Sequence, residues 1–219
     1  MAHGTRDPAG VRTVRQIVDA LRGSAASSEI GVAFLELAEP DVPTALAGIP
    51  ADRRTVLVPL LLASGYHDRV DLPAAIAAAR PGTAHASVLG PDPRLAVALA
   101  DRLREAGRRP GEAVVLAAAG SSDPTAVESV RTQAGLLAAE LGTAVTVGFG
   151  AAAAPDVPAA VAAARAAGAR RVAIAPYLLA PGHFADRLAT AGADLVAAPL
   201  GAHPAVIELV LDRAASTAG

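Results

Sequence analysis

Arg53-Arg54-Thr55-Val56-Leu57-Val58-Pro59-Leu60-Leu61-Leu62-Ala63-Ser64-Gly65 returns 117 residues later as Arg170-Arg171-Val172-Ala173-Ile174-Ala175-Pro176-Tyr177-Leu178-Leu179-Ala180-Pro181-Gly182. Three more blocks flank these copies in the same order. Ala2-His3-Gly4-Thr5-Arg6-Asp7-Pro8 returns as Ala118-Ala119-Gly120-Ser121-Ser122-Asp123-Pro124, at an offset of 116. Pro40-Asp41-Val42-Pro43 returns as Pro155-Asp156-Val157-Pro158 at 115, and Leu89-Gly90-Pro91-Asp92-Pro93 as Leu200-Gly201-Ala202-His203-Pro204 at 111. Single matches mean little in an Ala-rich chain, but four at nearly constant spacing imply two homologous lobes, residues 1–108 and 109–219.

Within each lobe short apolar runs alternate with longer amphipathic ones, the signature of βαβ units on a parallel sheet. The second lobe predicts strands over 113–118, 144–149, 171–175 and 194–198, with helices over 124–141, 156–167, 183–191 and 203–214. The first predicts strands over 30–35, 55–60 and 84–89, with helices over 8–21, 42–47, 72–79 and 93–106. Asp7-Pro8 and Asp123-Pro124 are helix starts, an acceptor at the N-cap followed by Pro at the first helical position. The fold class is therefore α/β, two lobes of parallel sheet flanked by helices with a cleft between them. Only Met1 precedes Ala2-His3, where lobe two has Glu112–Ala117, so the first strand of lobe one is reduced to a stub. The expectation is that the start of this sequence is placed too late.

Composition narrows the function classes. With 53% hydrophobic and 18% charged residues the chain can bury a sizeable core. With three Phe, two Tyr and no Trp, that core is packed from Ala, Val, Leu and Ile, and no aromatic platform exists for stacking bases. A net charge of −2 attracts no polyanion globally, so nucleic acid is not an expected partner. The absence of Cys removes thiolate metal sites and cysteine nucleophiles together, leaving His, Asp and Glu to meet any metal. The start lacks the order of a signal peptide, and every apolar stretch is broken by Gly, Pro, Asp or Arg, so the expectation is a cytoplasmic protein without a membrane segment.

Ligands of parallel α/β sheets bind beyond the carboxyl ends of the strands. In lobe one His3, Glu36 and His67 follow three adjacent strands; in lobe two the corresponding residues are Ala119, Ala151 and Phe184. Singly, each is as well explained as a surface or capping residue. Jointly present in one lobe and absent from the other, they describe a site built on one half. Two imidazoles and a carboxylate suit a borderline divalent metal such as Fe²⁺ or Co²⁺, and equally suit proton transfer near neutral pH. Arg6, in the turn that opens the first helix, either adds charge to an anion site or only borders a helix cap. Arg69 and Arg187 either line the cleft or are ordinary exposed arginines. Asp71 either orients His67 or caps the helix entering at Leu72, the plainer reading. His183 lies one position from the His67 counterpart and so faces the same cleft, whereas His85 and His203 read as structural.

Taken together, Ala2-His3-Gly4-Thr5-Arg6-Asp7-Pro8, Phe34-Leu35-Glu36-Leu37 with Pro40, Pro59-Leu60-Leu61-Leu62 with Gly65-Tyr66-His67, and Asp71-Leu72-Pro73 resemble the sirohydrochlorin chelatase family, the small class II chelatases of sirohaem and cobalamin synthesis. The likeness spans nearly the whole chain, the second half resembling the degenerate lobe of two-lobed members. It implies insertion of a divalent metal into a tetrapyrrole without ATP, in a cleft between the lobes. No organic cofactor is implied; Fe²⁺ or Co²⁺ enters as substrate, with iron placed first because sirohaem is the more widely needed product. His3 and His67 match the family's metal-handling histidines and Glu36 its acidic partner. The carboxylate-rich substrate would be met by Arg6, Arg69 and the helix start at Ser121-Ser122. The competing expectations are a non-enzymatic tetrapyrrole or metal carrier on the same scaffold, and a two-lobed small-ligand binding protein.

Overall fold

The computed structural model describes residues 1–25, 29–65 and 67–218, except for the side chains of His67 and Asp68. In lobe two, β3 (Ala113–Ala118), β4 (Val145–Phe149), β5 (Val172–Tyr177) and β6 (Leu195–Val196) form a parallel sheet in the order β4-β3-β5-β6. Strand β3 lies in the middle, with Leu116 opposite Val147 on one side and Ala175 on the other. It is buried on both faces, as its unbroken Val-Val-Leu run requires.

Lobe one repeats this order in abbreviated form. Strand β1 (Val56–Leu57) pairs in parallel with β2 (Ala84–His85). Met1 and Ala2 occupy the central position: Met1 N donates to Val58 O, Leu60 N to Met1 O, and Ala2 bridges Phe34. The strand expected over 30–35 shrinks to that bridge, and those over 55–60 and 84–89 to two residues each. A strand is defined by its ladder, and a two-residue centre offers few groups to pair with.

The helices are α1 (Pro8–Ser24), α2 (Val42–Ala47), α3 (Leu72–Ala79), α4 (Pro93–Glu105), α5 (Pro124–Leu141), α6 (Val157–Ala166), α7 (His183–Leu188) and α8 (Pro204–Ala218). They follow the sequence expectations to within a few residues, because Asp caps and Pro starts mark them. Asp7, Asp41, Asp92, Asp123 and Asp156 each accept a backbone N–H at a helix start. Helices α2 and α3 cover the outer face of the first sheet around Leu57 and Leu72, and α6 and α7 that of the second around Ile174 and Leu188. Between the sheets lies one continuous core from α1, α4, α5 and α8, including Ile17, Leu99, Leu137 and Leu209. Helix α4 packs on α5 and β5, while α8 reaches back to α1, β1 and β2. Each half thus ends in a helix that packs against the other half. Among the described residues no helix is long and apolar enough to cross a membrane.

A polar knot fastens this exchange. Asp92 caps α4, takes three hydrogen bonds from Arg94 and one from Arg213 of α8, and donates its N–H to the buried Gln133 of α5. Burial works against the ionised carboxyl, but the Arg94 hydrogen bonds and the charges of Arg94 and Arg213 outweigh it and hold Asp92 below the ordinary carboxylate range. A depressed folded-state value contributes stability above the unfolded carboxylate's pKa and loses it as pH falls through the folded one. Asp92→Asn is accordingly expected to cost about 1–3 kcal/mol at neutral pH. Between pH 5 and 2, urea denaturation should show a smaller loss of stability for the variant than for the parent. Parallel profiles would exclude this role for Asp92.

Candidate active site

The turn after the central stub of lobe one is set by a backbone contact. Gly4 has φ 106°, and a Cβ added there would stand 1.7 Å from the carbonyl oxygen of Glu36, so only glycine lets the two strand ends meet. The contact is held by Glu36 N donating to His3 O at 3.0 Å. Thr5 Oγ1 then accepts from Asp7 N, and Asp7 caps α1. As a result the side chains of His3 and Glu36 leave adjacent strand ends together, with His3 Nε2 3.3 Å from Glu36 Oε1. Both side chains are about half exposed, so the pair contributes less than about 1 kcal/mol to stability. Its consequence is chemical: a neutral imidazole can take a proton, and the carboxylate beside it then holds the cation in place.

Lobe two keeps the backbone and discards the chemistry. Gly120 has φ 95°, its added Cβ would stand 1.9 Å from Ala151 O, and Ala151 N donates to Ala119 O at 3.0 Å. The alanines leave no acid, base or ligand there. The Phe184 ring lies against the backbone of Gly150. The sequence correspondence of His3 with Ala119 and Glu36 with Ala151 is thus also a spatial one.

His3 opens onto a cleft of about 330 Å³ between the lobes. One wall is Ala2–Thr5 with Gly10, Val14, Phe34 and Leu60; the other is the segment Leu178–Ala185 of lobe two. His183 lines this second wall, as its sequence position implied. His67 begins a π-helical turn, His67–Asp71, that leads into α3; its side chain lies outside the described atoms, so the three-residue cluster is placed only for His3 and Glu36. Among the described residues no three His, Asp or Glu side chains gather into a metal cage.

The remaining site residues fall in different places. Arg6 and Ser122 are exposed in equivalent turns of the two lobes. Ser121 Oγ accepts from Asp123 N, leaving its hydroxyl proton to donate elsewhere. Arg69 reaches across to lobe two and ion-pairs with Asp123, the cap of α5. Asp71 precedes α3 without capping it through its side chain, contrary to the plainer of the two expectations. His203 is structural, as expected: its ring spans Asp101 Oδ2 at 3.1 Å and Ala205 N at 3.2 Å. His85 lies exposed on β2.

Tyr177 escaped the sequence reading. It is buried at the end of β5, and its hydroxyl donates to Leu62 O of lobe one at 2.8 Å. Burial, then the nearby charge of Asp92, pushes its pKa up, so it remains a neutral donor. The signal available was its substitution for Leu60 in the repeated block: a hydroxyl added to an otherwise apolar strand end needs a partner.

A family model, CbiX, matches residues 1–106 and again 113–217. Among solved structures, SirB from Bacillus subtilis with Fe³⁺ is 24% identical, with 100% of this chain and 93% of that one covered and a TM-score of 0.84. The sirohydrochlorin chelatase SirB from Bacillus subtilis subspecies spizizenii, in complex with cobalt, is 25% identical over 99% and 92% of the two chains, with a TM-score of 0.77. CbiX, described as the terminal enzyme for siroheme biosynthesis in denitrifying bacteria, is 24% identical over 98% and 96%, with a TM-score of 0.73. No curated protein matches the chain.

Proposed function

Because the chain belongs to the CbiX family, we propose that it is a metal chelatase that inserts a divalent cation into sirohydrochlorin without ATP, in sirohaem or cobalamin synthesis in the cytoplasm. Fe²⁺ stands first as the substrate metal and Co²⁺ second. The observation that carries the reading is the His3–Glu36 pair, 3.3 Å apart, with His3 on the cleft wall of one lobe of a two-lobed chain. The structures with Fe³⁺ and with cobalt support a metal substrate.

The reaction sets the tasks. A dication replaces two pyrrole protons, so the products are the neutral metallated ring centre and two protons, and the cation must shed water before it enters. The site therefore needs proton acceptors beside a ligand weak enough to let go. His3 accepts a proton and Glu36 stabilises the resulting imidazolium. His67, at the start of the turn that leads into α3, completes the set as a metal ligand. A three-ligand site of this kind leaves a position open, unlike a closed four-ligand structural site. The substrate's carboxylates are taken by Arg6 and the Ser121-Ser122 turn, and by Arg69 once it exchanges Asp123 for a substrate group.

The test is turnover. Purified protein mixed with metal-free sirohydrochlorin and Fe²⁺ under anaerobic conditions, or with Co²⁺, is expected to change the absorption spectrum faster than the protein-free control. Equal rates in both metals would leave the carrier reading in its place.

A further inference from the structure

We propose that His183 is a metal ligand on the cleft wall facing His3 and Glu36, holding the cation on one side of the macrocycle while the His3–Glu36 pair takes protons on the other. This rests on the chelatase reading, and it gives a part in metal handling to lobe two, which has Ala119 and Ala151 where lobe one has His3 and Glu36.

Three observations carry it. The first is position. Lobe two's segment comes up against lobe one at Pro181-Gly182: a methyl on Gly10 would stand 2.9 Å from Pro181 O, and one on Gly182 4.0 Å from Thr5 Oγ1. His183 is the next residue, and it lines the same cleft as His3. The second is availability. His183 is exposed and its ring makes no hydrogen bond or ion pair with any described residue, whereas both nitrogens of His203 are engaged and His3 stands beside a carboxylate. An imidazole whose ring nitrogen lone pair is not engaged by the protein is a common ligand for Fe²⁺ and Co²⁺. The third is the division of labour that the chemistry requires. A flat macrocycle between two walls presents one face to each, so the wall with a paired acid and base suits deprotonation and the wall with an unpaired imidazole suits metal delivery.

Co²⁺ titration of the full chain without macrocycle, followed by the visible absorption of the bound ion, gives the direct test. His183→Ala and His183→Gln are each expected to weaken Co²⁺ binding by on the order of tenfold or more, the range typical for losing a group that holds a metal site together. Insertion at limiting metal should slow by a comparable factor, while binding of metal-free sirohydrochlorin, read by fluorescence quenching, stays at the parent level. His85→Ala, away from the cleft, should leave all three unchanged. Unaltered Co²⁺ affinity in both His183 variants overturns the assignment, as does a parent protein that binds no Co²⁺. If the parent binds Co²⁺ through His183 yet never metallates the macrocycle, the ligand stands and the chelatase reading falls.

Discussion

His3→Ala is expected to lower metal insertion by a factor on the order of 10²–10⁴ with the fold unchanged, the range usual for a positioned acid–base group. The side chain is about half exposed and adds little to the core, so its loss is chemical rather than structural. His67→Ala is expected to fall in the same range. The double variant should be little worse than either single one, because residues that act as a unit are strongly non-additive. His85→Ala and His203→Ala should retain near-parental rates, His203 acting only through its contacts to Asp101 and the start of α8. Steady-state rates in the sirohydrochlorin assay, with circular dichroism to verify folding, decide the matter. Parental rates in both His3→Ala and His67→Ala would remove the mechanism and leave the architecture standing.

Gly4→Ala is expected to produce the largest loss of stability, at least about 3 kcal/mol, because a positive φ and a backbone clash act together. The obstacle at 1.7 Å is the Glu36 carbonyl, and moving it means separating the strand ends that bring His3 and Glu36 together. Activity should therefore disappear with stability. Gly120→Ala meets the same obstacle in lobe two, the Ala151 carbonyl at 1.9 Å. It should destabilise by a similar amount, while the fraction that remains folded keeps its proton transfer and loses at most substrate affinity, since that turn carries the proposed substrate-binding Ser121-Ser122 but no counterpart of His3 or Glu36. Urea midpoints and rates per folded molecule separate the two effects. A Gly4→Ala protein as stable as its parent would contradict the backbone geometry on which the site depends.

Much of the architecture was legible because local and global signals agree. The repeated Asp-Pro and Pro-Asp-Val-Pro blocks mark helix starts by capping chemistry, which acts within three residues and so can be read without knowing the fold. The strands of lobe one were overestimated for the opposite reason: Ile30–Val32 has strand composition, but the ladder it needs belongs to a segment only two residues long. The packing of α4 and α8 against the opposite halves was not legible at all. An amphipathic pattern states that a helix has an apolar face, not which sheet will cover it. At the site, comparing the two lobes isolated His3 and Glu36, because a His and a Glu matched by alanines stand out against a repeated backbone. The ion pair of Arg69 with Asp123 and the hydroxyl of Tyr177 on Leu62 span more than 50 residues, and nothing in local sequence specifies such partners.

The most direct measurement is the position of the cation itself. Crystals soaked in Co²⁺ and measured at the cobalt absorption edge should show an anomalous peak in the cleft between the lobes, with a ring nitrogen of His3 or of His183 across from it at a coordination distance of ~2 Å. A strong peak only at exposed histidines such as His85, with the cleft beside His3 and Glu36 bare at saturating cobalt, would contradict a metal-handling site in this cleft.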